Sequence, residues 1–534
     1  QTPNPKPQTP NPKPLFVLYM GSACGSSKGE KLGTKGGINP SDRSARIMET
    51  KILLQKKWSE ELRAGSDVQL SSPWASTTSS ESINLVYNLC DTIGEGFTGK
   101  VWKASLKGYP KKLFAIKSIR KSSSSDKNFK YFKGEVDLLK ELDHPNIIRF
   151  FECYQDQKCY HLVLEYCEGS DLVKLVEKHK GLSEGLAKKF IFQAMLAINY
   201  LHTVGIVHRD VKLDNFLLNK ADESVADIKL IDFGFARNFR GDKLYSQIGT
   251  PWYVAPEVLN KSSSYDQSCD VWSLGVLLYI MLYAEPPFKG NNNIEIFHQI
   301  ADKKLDFTQS KYKNTNPEIL ELLSQLLQKN PAERTTITKA LESKWFHSQI
   351  VEIHKNWGES TIKQVLQKLT SAKAESLFRR EVVKVMVKIF YDSKEIKEAE
   401  TLFYCCDYLN NGVITQMELE HLFQEAKMPC SQESLKQLIE SLYLKTSGVL
   451  TFSEFLVGVL NKSFFTDHLR LKITFDRFDV DHSGYITEDN IKACFSRFGY
   501  NIRPDLIKDL IKDFDIYKDG VISYEEFVKV MKKD

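Results

Sequence analysis

One short stretch, VHRDVKLDNF, puts Asp210, Lys212 and Asn215 almost side by side. That trio suits phosphoryl transfer: Asp210 can orient a hydroxyl and accept its proton, Lys212 can neutralise a γ-phosphate, and Asn215 can bind a magnesium ion. Downstream, LIDFGFAR adds Asp232 as a second magnesium ligand, and GTPWYVAPE closes the segment at Glu257. Upstream, TIGEGFTGKV sets Gly94, Gly96 and Gly99 between two strand-like runs, where missing side chains let backbone amides approach a polyphosphate. The apolar run FAIK ends in Lys117, suited to α- and β-phosphates, and Glu135 lies on a following helical pattern, placed to position that ammonium. Each has a plainer reading alone: a glycine-rich hairpin, a surface lysine, a surface glutamate. Their order along the chain argues for a single site.

A second pattern concerns cations. Four 12-residue loops, 407–418, 443–454, 479–490 and 515–526, start 36 residues apart. Gly412, Gly448, Gly484 and Gly520 hold the sixth positions, and Ile414, Leu450, Ile486 and Ile522 the eighth. Glycine permits the sharp turn around an ion, and the eighth residues pair loops through a short β contact, so helix-loop-helix calcium hands are expected. Loop four offers Asp515, Asp519, Ser523, the Val521 carbonyl and a bidentate Glu526, although Tyr517 replaces an acid; it is the best calcium site. Loop one has Asp407, Asn411, Thr415, Glu418 and the Val413 carbonyl, but Leu409 brings no side-chain oxygen. Loop three has Asp479, Asp481, Ser483, Thr487 and the Tyr485 carbonyl, with Asn490 where a closing glutamate belongs. Weaker cation binding is expected at both. Loop two has Tyr443 and Lys445 at ligand positions and is expected to stay empty, a scaffold that only pairs with its neighbour.

The elements that must hold these residues follow from the pattern around them. The chain has 534 residues, 42% hydrophobic and 26% charged, enough for several packed cores. Residues 1–86 read as a disordered tail: a proline-rich heptad written twice, then polar serine-rich sequence broken by a helical pattern over residues 47–62. Residues 87–346 pass from short β-branched runs to long helical periodicity, predicting a small sheet-rich lobe and a larger helical one. Residues 347–395 read as a basic junction helix. In it Val365, Leu366, Leu369, Leu377, Phe378, Val382, Val385, Met386 and Ile389 fall on helical spacing among lysines and arginines. Such a helix is either an ordinary packing helix or the kind that calmodulin-like domains grip. Residues 396–534 carry the loops and a net charge of about −6.

No apolar run reaches the ~18 residues a membrane-spanning helix needs, and no secretory signal opens the chain, so a cytoplasmic location is expected. Membrane contact is expected only if translation starts at Met20, which would let Gly21 and Cys24 take acyl chains. Ten cysteines without a CxxC pair predict reduced thiols, with Cys405 and Cys406 as helix packing residues. No basic-aromatic patch suggests nucleic acid as a partner.

With these motifs in order, residues 87–346 resemble a eukaryotic protein kinase, and Lys212 two residues after Asp210 resembles the serine/threonine branch. The resemblance implies ATP and Mg2+ as cofactors and proteins with Ser or Thr acceptors, basic sites among them, as substrates. It places Ile93, Val101, Ala115, Leu164, Glu165 and Cys167 around the nucleotide, with Asp171 at the ribose. Asp270 and Arg334 match buried supports, the latter pairing with Glu257. Ser246 reads either as a phosphorylation switch opposite Arg209 or as a solvated loop serine.

Residues 87–534 together resemble the calcium-dependent protein kinases of plants and protists. That implies an α+β bilobal protein kinase domain followed by an all-α calmodulin-like domain of four EF-hands. It also implies an autoinhibitory junction that the EF-hand domain draws off when Ca2+ binds. The alternative is an active kinase whose degenerate hands serve as a structural arm or partner platform. A pseudokinase scaffold fits poorly with intact Lys117, Asp210 and Asp232.

Overall fold

The computed structural model describes residues 83–96, 99–121, 127–239, 244, 250–260, 264–371, 377–431, 433–435, 438, 449–497 and 504–533. The chain divides into two units, residues 1–43 and 44–534, and every described residue belongs to the second. The expectations for Met20, Gly21, Cys24, residues 47–62, Ser246, Tyr443, Lys445 and Gly448 fall outside the described residues.

Five strands, β1 (Tyr87–Gly96), β2 (Gly99–Leu106), β3 (Tyr109–Arg120), β4 (Phe150–Gln155) and β5 (Cys159–Glu165), form an antiparallel sheet in the order β1-β2-β3-β5-β4. Side chains of a strand alternate between its two faces, and here both faces are buried. Ala115, Ile119, Leu162 and Leu164 belong to the core of the catalytic domain with α1 (Lys127–Leu139). Ala104, Phe114, Ile116, Phe151, Tyr154 and Val163 belong to a second core built mostly from residues beyond 356. At Gly99 an added Cβ would lie 1.8 Å from the Ser118 carbonyl oxygen, so close strand packing alone demands glycine there.

The larger lobe is helical: α2 (Leu172–His179), α3 (Glu184–Thr203), α4 (Ser268–Tyr283) and α5 (Pro317–Leu326). Helices α3 and α4 are apolar on nearly every face because they cross the middle of this lobe, and most of their residues are buried. The expected support pair is present: Arg334 donates to both Glu257 oxygens at 2.6 and 2.9 Å, and the guanidinium tip is fully buried.

The junction is not a single helix: after a short helix at His347–Ile353 it forms α6 (Glu359–Ser371) and α7 (Leu377–Ile389). Val365, Leu366, Leu369, Val382, Val385, Met386 and Ile389 are buried, as their spacing predicts; the side chains of Leu377 and Phe378 lie outside the described residues. Val383 and Val387 are buried too, so α7 is covered on several sides and is more than a one-sided amphipathic helix.

The calcium hands follow as α8 (Lys394–Cys406), α9 (Gln416–Glu425), α10 (Phe452–Val459), α11 (His468–Phe478), α12 (Glu488–Arg497), α13 (Pro504–Phe514) and α14 (Tyr524–Lys532). Ile414 pairs with Leu450 and Ile486 with Ile522, so eighth-position residues join neighbouring loops as expected. The nine described cysteines are free thiols, with Cys405 and Cys406 buried. Among the described residues no helix is long and apolar enough to cross a membrane.

Replacing Arg334 by Met strands the Glu257 carboxylate, and the expected cost is about 3–5 kcal/mol. Thermal unfolding of the full chain checks this; a melting temperature within about 2 °C of the parent contradicts it.

Candidate active site and calcium loops

Lys117 ends up on the cleft face because Ile116 on one side of it points the other way. Its ammonium donates to Glu135 at 2.7 and 2.9 Å and lies 4.0 Å from Asp232. Burial disfavours the charge, but the Glu135 and Asp232 carboxylates outweigh it and hold the Lys117 pKa above its ordinary value. Burial likewise opposes an ionised Asp232, yet Lys117, the Gly234 amide and His208 keep that carboxyl below the usual carboxylate range. Such a pair, with a carboxylate nearby, can hold phosphate oxygens and a magnesium ion.

Asp210 follows the two-residue strand Ile206–Val207, and Asn215 precedes the hairpin formed by Phe216–Leu218 and Ile228–Leu230. Asp210 Oδ2 lies 2.7 Å from Lys212 Nζ and accepts from Asn215 Nδ2 at 3.1 Å. Arg209 just before it has φ 67°, a conformation that costs a non-glycine residue about 1–3 kcal/mol. Asp270 fixes that turn, accepting from the His208 amide at 2.9 Å and the Arg209 amide at 2.8 Å. Burial raises the cost of charge on Asp270, but the His202 hydrogen bond and the histidines outweigh it, so the carboxyl stays below its ordinary value.

Thr250 was not singled out by sequence reasoning. Its Oγ1 donates to Asp210 at 3.1 Å and accepts from Lys212 at 3.2 Å, so it locks the angle between acid and lysine. The signal was present, since it opens the stretch TPWYVAPE. A small pocket beside it is lined by Arg209, Asp210, Thr250, Tyr253 and Cys269.

Around the nucleotide cleft, Leu164 is buried and registers with Ala115, while Val101 is half-buried and Ile93 exposed. Gly94 pairs with Val101 and Gly96 with Gly99, closing the hairpin over the cleft. The Glu165 side chain is buried against Lys229 at 2.9 Å, which leaves the main chain of Glu165 and Cys167 as the part suited to a base. Asp171 caps α2, accepting from the Lys174 amide at 2.8 Å.

The calcium loops turn through left-handed residues, Asn410, His482 and Lys518 at their fourth positions and Gly412, Gly484 and Gly520 at their sixth. In loop four Asp515 accepts from the Asp519 amide at 3.1 Å and the Gly520 amide at 2.8 Å. Glu526 folds back over the loop, accepting from the amides of Ile516, Tyr517 and Ser523 at 2.9, 3.0 and 2.8 Å. Asp515, Asp519, Ser523, Glu526 and the Val521 carbonyl thus belong to one closed turn of oxygens, a donor set that fits calcium.

Loop three is built alike, with Asp479 accepting from Ser483 and Gly484 amides, each at 2.9 Å; Asp481 and Tyr485 are exposed. At its twelfth position Asn490 accepts from Thr487, so a neutral amide stands in for the closing carboxylate. In loop one Asp407, Asn411, Val413, Thr415 and Glu418 are all buried. The loop faces α3, whose Asn199 donates to the Asn410 carbonyl at 2.7 Å, and a Cβ on Gly412 would lie 2.6 Å from Tyr200. Burial, with Asp407 nearby, pushes the Glu418 carboxyl up to about 8. Among the described residues no three His, Cys, Asp or Glu side chains already converge as a metal cluster, and loop amides satisfy the carboxylates instead.

Fold and site define a protein kinase joined to calcium hands. A protein kinase domain family matches residues 87–346 and an EF-hand domain pair matches residues 469–532. Calcium-dependent protein kinase 5 of Plasmodium falciparum is 32% identical over 447 residues, covering 82% of this chain and 76% of that protein. Calcium-dependent protein kinase 33 of Arabidopsis thaliana is 30% identical, covering 85% of each. The chain belongs to the calcium-dependent protein kinases. It is a protein serine/threonine kinase that uses ATP with Mg2+, and Ca2+ is the ion of its EF-hand region.

Asp210→Asn should lower kcat about 10²–10⁴-fold with the melting temperature unchanged, in a peptide phosphorylation assay. Glu526→Gln removes the bidentate closing ligand, and calorimetric calcium titration of the full chain should lose its tightest site.

Proposed function

We propose that this enzyme transfers the ATP γ-phosphoryl group to protein Ser and Thr hydroxyls and that calcium controls it by deciding where residues 347–395 sit. In this reading Asp210 accepts the hydroxyl proton, Lys212 steadies the transferred group, and Glu135 holds Lys117 on the α- and β-phosphates. Asn215 and Asp232 hold magnesium, which neutralises charge on the phosphate oxygens when bound.

The observation that carries the calcium control is the seat of the junction. Helices α6 and α7 are gripped by α10, α11 and α14-side residues: Lys368 donates to the Val459 carbonyl at 3.0 Å, Lys384 pairs with Glu454 at 3.5 Å, and Arg379 donates to the Lys533 carbonyl at 2.9 Å. Beyond α7, Tyr391 packs on Phe151 and Asp392 takes Lys112 at 2.6 Å, both on the sheet face opposite Lys117. This arrangement leaves the Asp210 cleft to substrate; without calcium the basic junction would enter it.

Asp171 beside the cleft supports acceptors flanked by basic residues. The cytoplasm is the proposed location, with acylation at Gly21 and Cys24 if translation starts at Met20. A second reading, a structural arm with Ser246 phosphate as the switch, draws support from the burial of loop one against α3.

Activity of the full chain on a basic serine peptide, measured against free calcium, should rise at least about tenfold from chelator to saturation. Activity indifferent to chelator but lost with Ser246→Ala would favour the second reading.

A further inference from the structure

The third hand lacks its closing carboxylate, yet both of its helices carry a buried arginine. Arg477 is on α11, two residues before loop three begins at Asp479, and Arg497 ends α12. Neither arginine turns to solvent. Arg477 is 9% exposed and forms an ion pair with Glu152 of β4, which is 0% exposed. Its guanidinium also donates to Tyr87 Oη at 3.3 Å and lies 5.7 Å from that ring's centre. Tyr87 in turn donates to Glu152 at 3.2 Å, Tyr154 donates to the same carboxylate, and Arg497 stacks 5.8 Å from the Tyr154 ring. One residue before Arg477 on α11, Asp476 accepts from Tyr109 at 2.6 Å.

The catalytic lobe thus carries a receptor of two tyrosines and one buried carboxylate; Arg477 of the third hand neutralises the carboxylate and Arg497 of the same hand lies on the Tyr154 ring. A carboxylate taken out of water without a counter-charge is strongly unfavourable, so Glu152 makes sense only with a cation seated on it. We infer that the third hand is a docking hand: Arg477 and Arg497 seat it in the Tyr87–Glu152–Tyr154 receptor and so hold the C-terminal domain on the back of the nucleotide-binding sheet.

The register gives this seat a consequence at the active site. Glu152 pairs with Val163 across β4 and β5, and Val163 pairs with Ile116 across β5 and β3. Ile116 immediately precedes Lys117, which points out of the opposite face. Arg477 is therefore a positioning residue for the strand that carries Lys117. The inference deepens the calcium reading above and rests on it in one respect, namely that the docked arrangement is the active one.

The test is a double-variant cycle on the full chain at saturating calcium. Arg477→Met, which strands Glu152, should raise amide hydrogen exchange in residues 150–155 at least about tenfold and raise the KM for ATP more than it lowers kcat. Combining it with Glu152→Leu removes the stranded charge and should restore exchange and KM toward the parent values. Single variants that leave exchange in β4 at the parent level overturn the inference, as does a double variant no better than Arg477→Met alone. Exchange altered as expected with KM for ATP unchanged would keep the seat but overturn the positioning of Lys117. Repeating the parent assay in chelator separates the two ideas, because calcium-indifferent parent activity defeats the calcium reading while the cycle still decides the pair.

Discussion

A five-stranded antiparallel sheet with apolar residues on both faces must be covered on both, and the architecture follows from how this chain meets that requirement. One face of the sheet closes over the catalytic core. The other is covered by the junction and the calcium hands, through Phe114, Ile116, Phe151, Tyr154 and Val163. Regulatory domain and catalytic lobe therefore share a core as well as polar contacts, and the buried Glu152 is a charge set at that core. Apolar surface gives adhesion without register, and a buried charge that must find its partner helps supply the register.

Within the cleft, electrostatics decides the arrangement more than shape does. Lys117 is held between two carboxylates, Asp210 between a lysine, an asparagine and a threonine, and Asp270 stabilises a backbone turn that Arg209 would not adopt alone. Each charge is buried enough to be costly and each has a counter-charge or amide within hydrogen-bond reach. The site is organised before substrate arrives, which is the condition for charge stabilisation during transfer.

The hands divide the work unequally. Loop four keeps Asp519 exposed and Asp515 partly so, where an ion can exchange with solvent, and buries only its closing Glu526, whereas loop one buries all its ligand residues against α3. Loop three has lost the carboxylate that would close it and has gained buried arginines on its flanking helices. A family of near-identical turns can carry such different duties because the turn itself depends only on left-handed fourth and sixth residues, which all three described loops retain.

Much was legible in the sequence because it rests on local rules. Glycine at fixed loop positions, the apolar run of β3 that ends in Lys117, and the order of Lys117, Glu135, Asp210, Asn215 and Asp232 are each set by residues a few places apart, or by a motif whose members need no partner to be recognised. The helical spacing of the junction also predicted which of its side chains are buried. Only the tertiary structure decided what lies against what: that Thr250 bridges Asp210 and Lys212, that Glu165 turns its side chain to Lys229, that loop one is buried, and that Arg477 meets a carboxylate 325 positions earlier in the chain. Those contacts carry no periodicity and no motif. A buried arginine reads in sequence like any surface cation until the fold brings it to its partner.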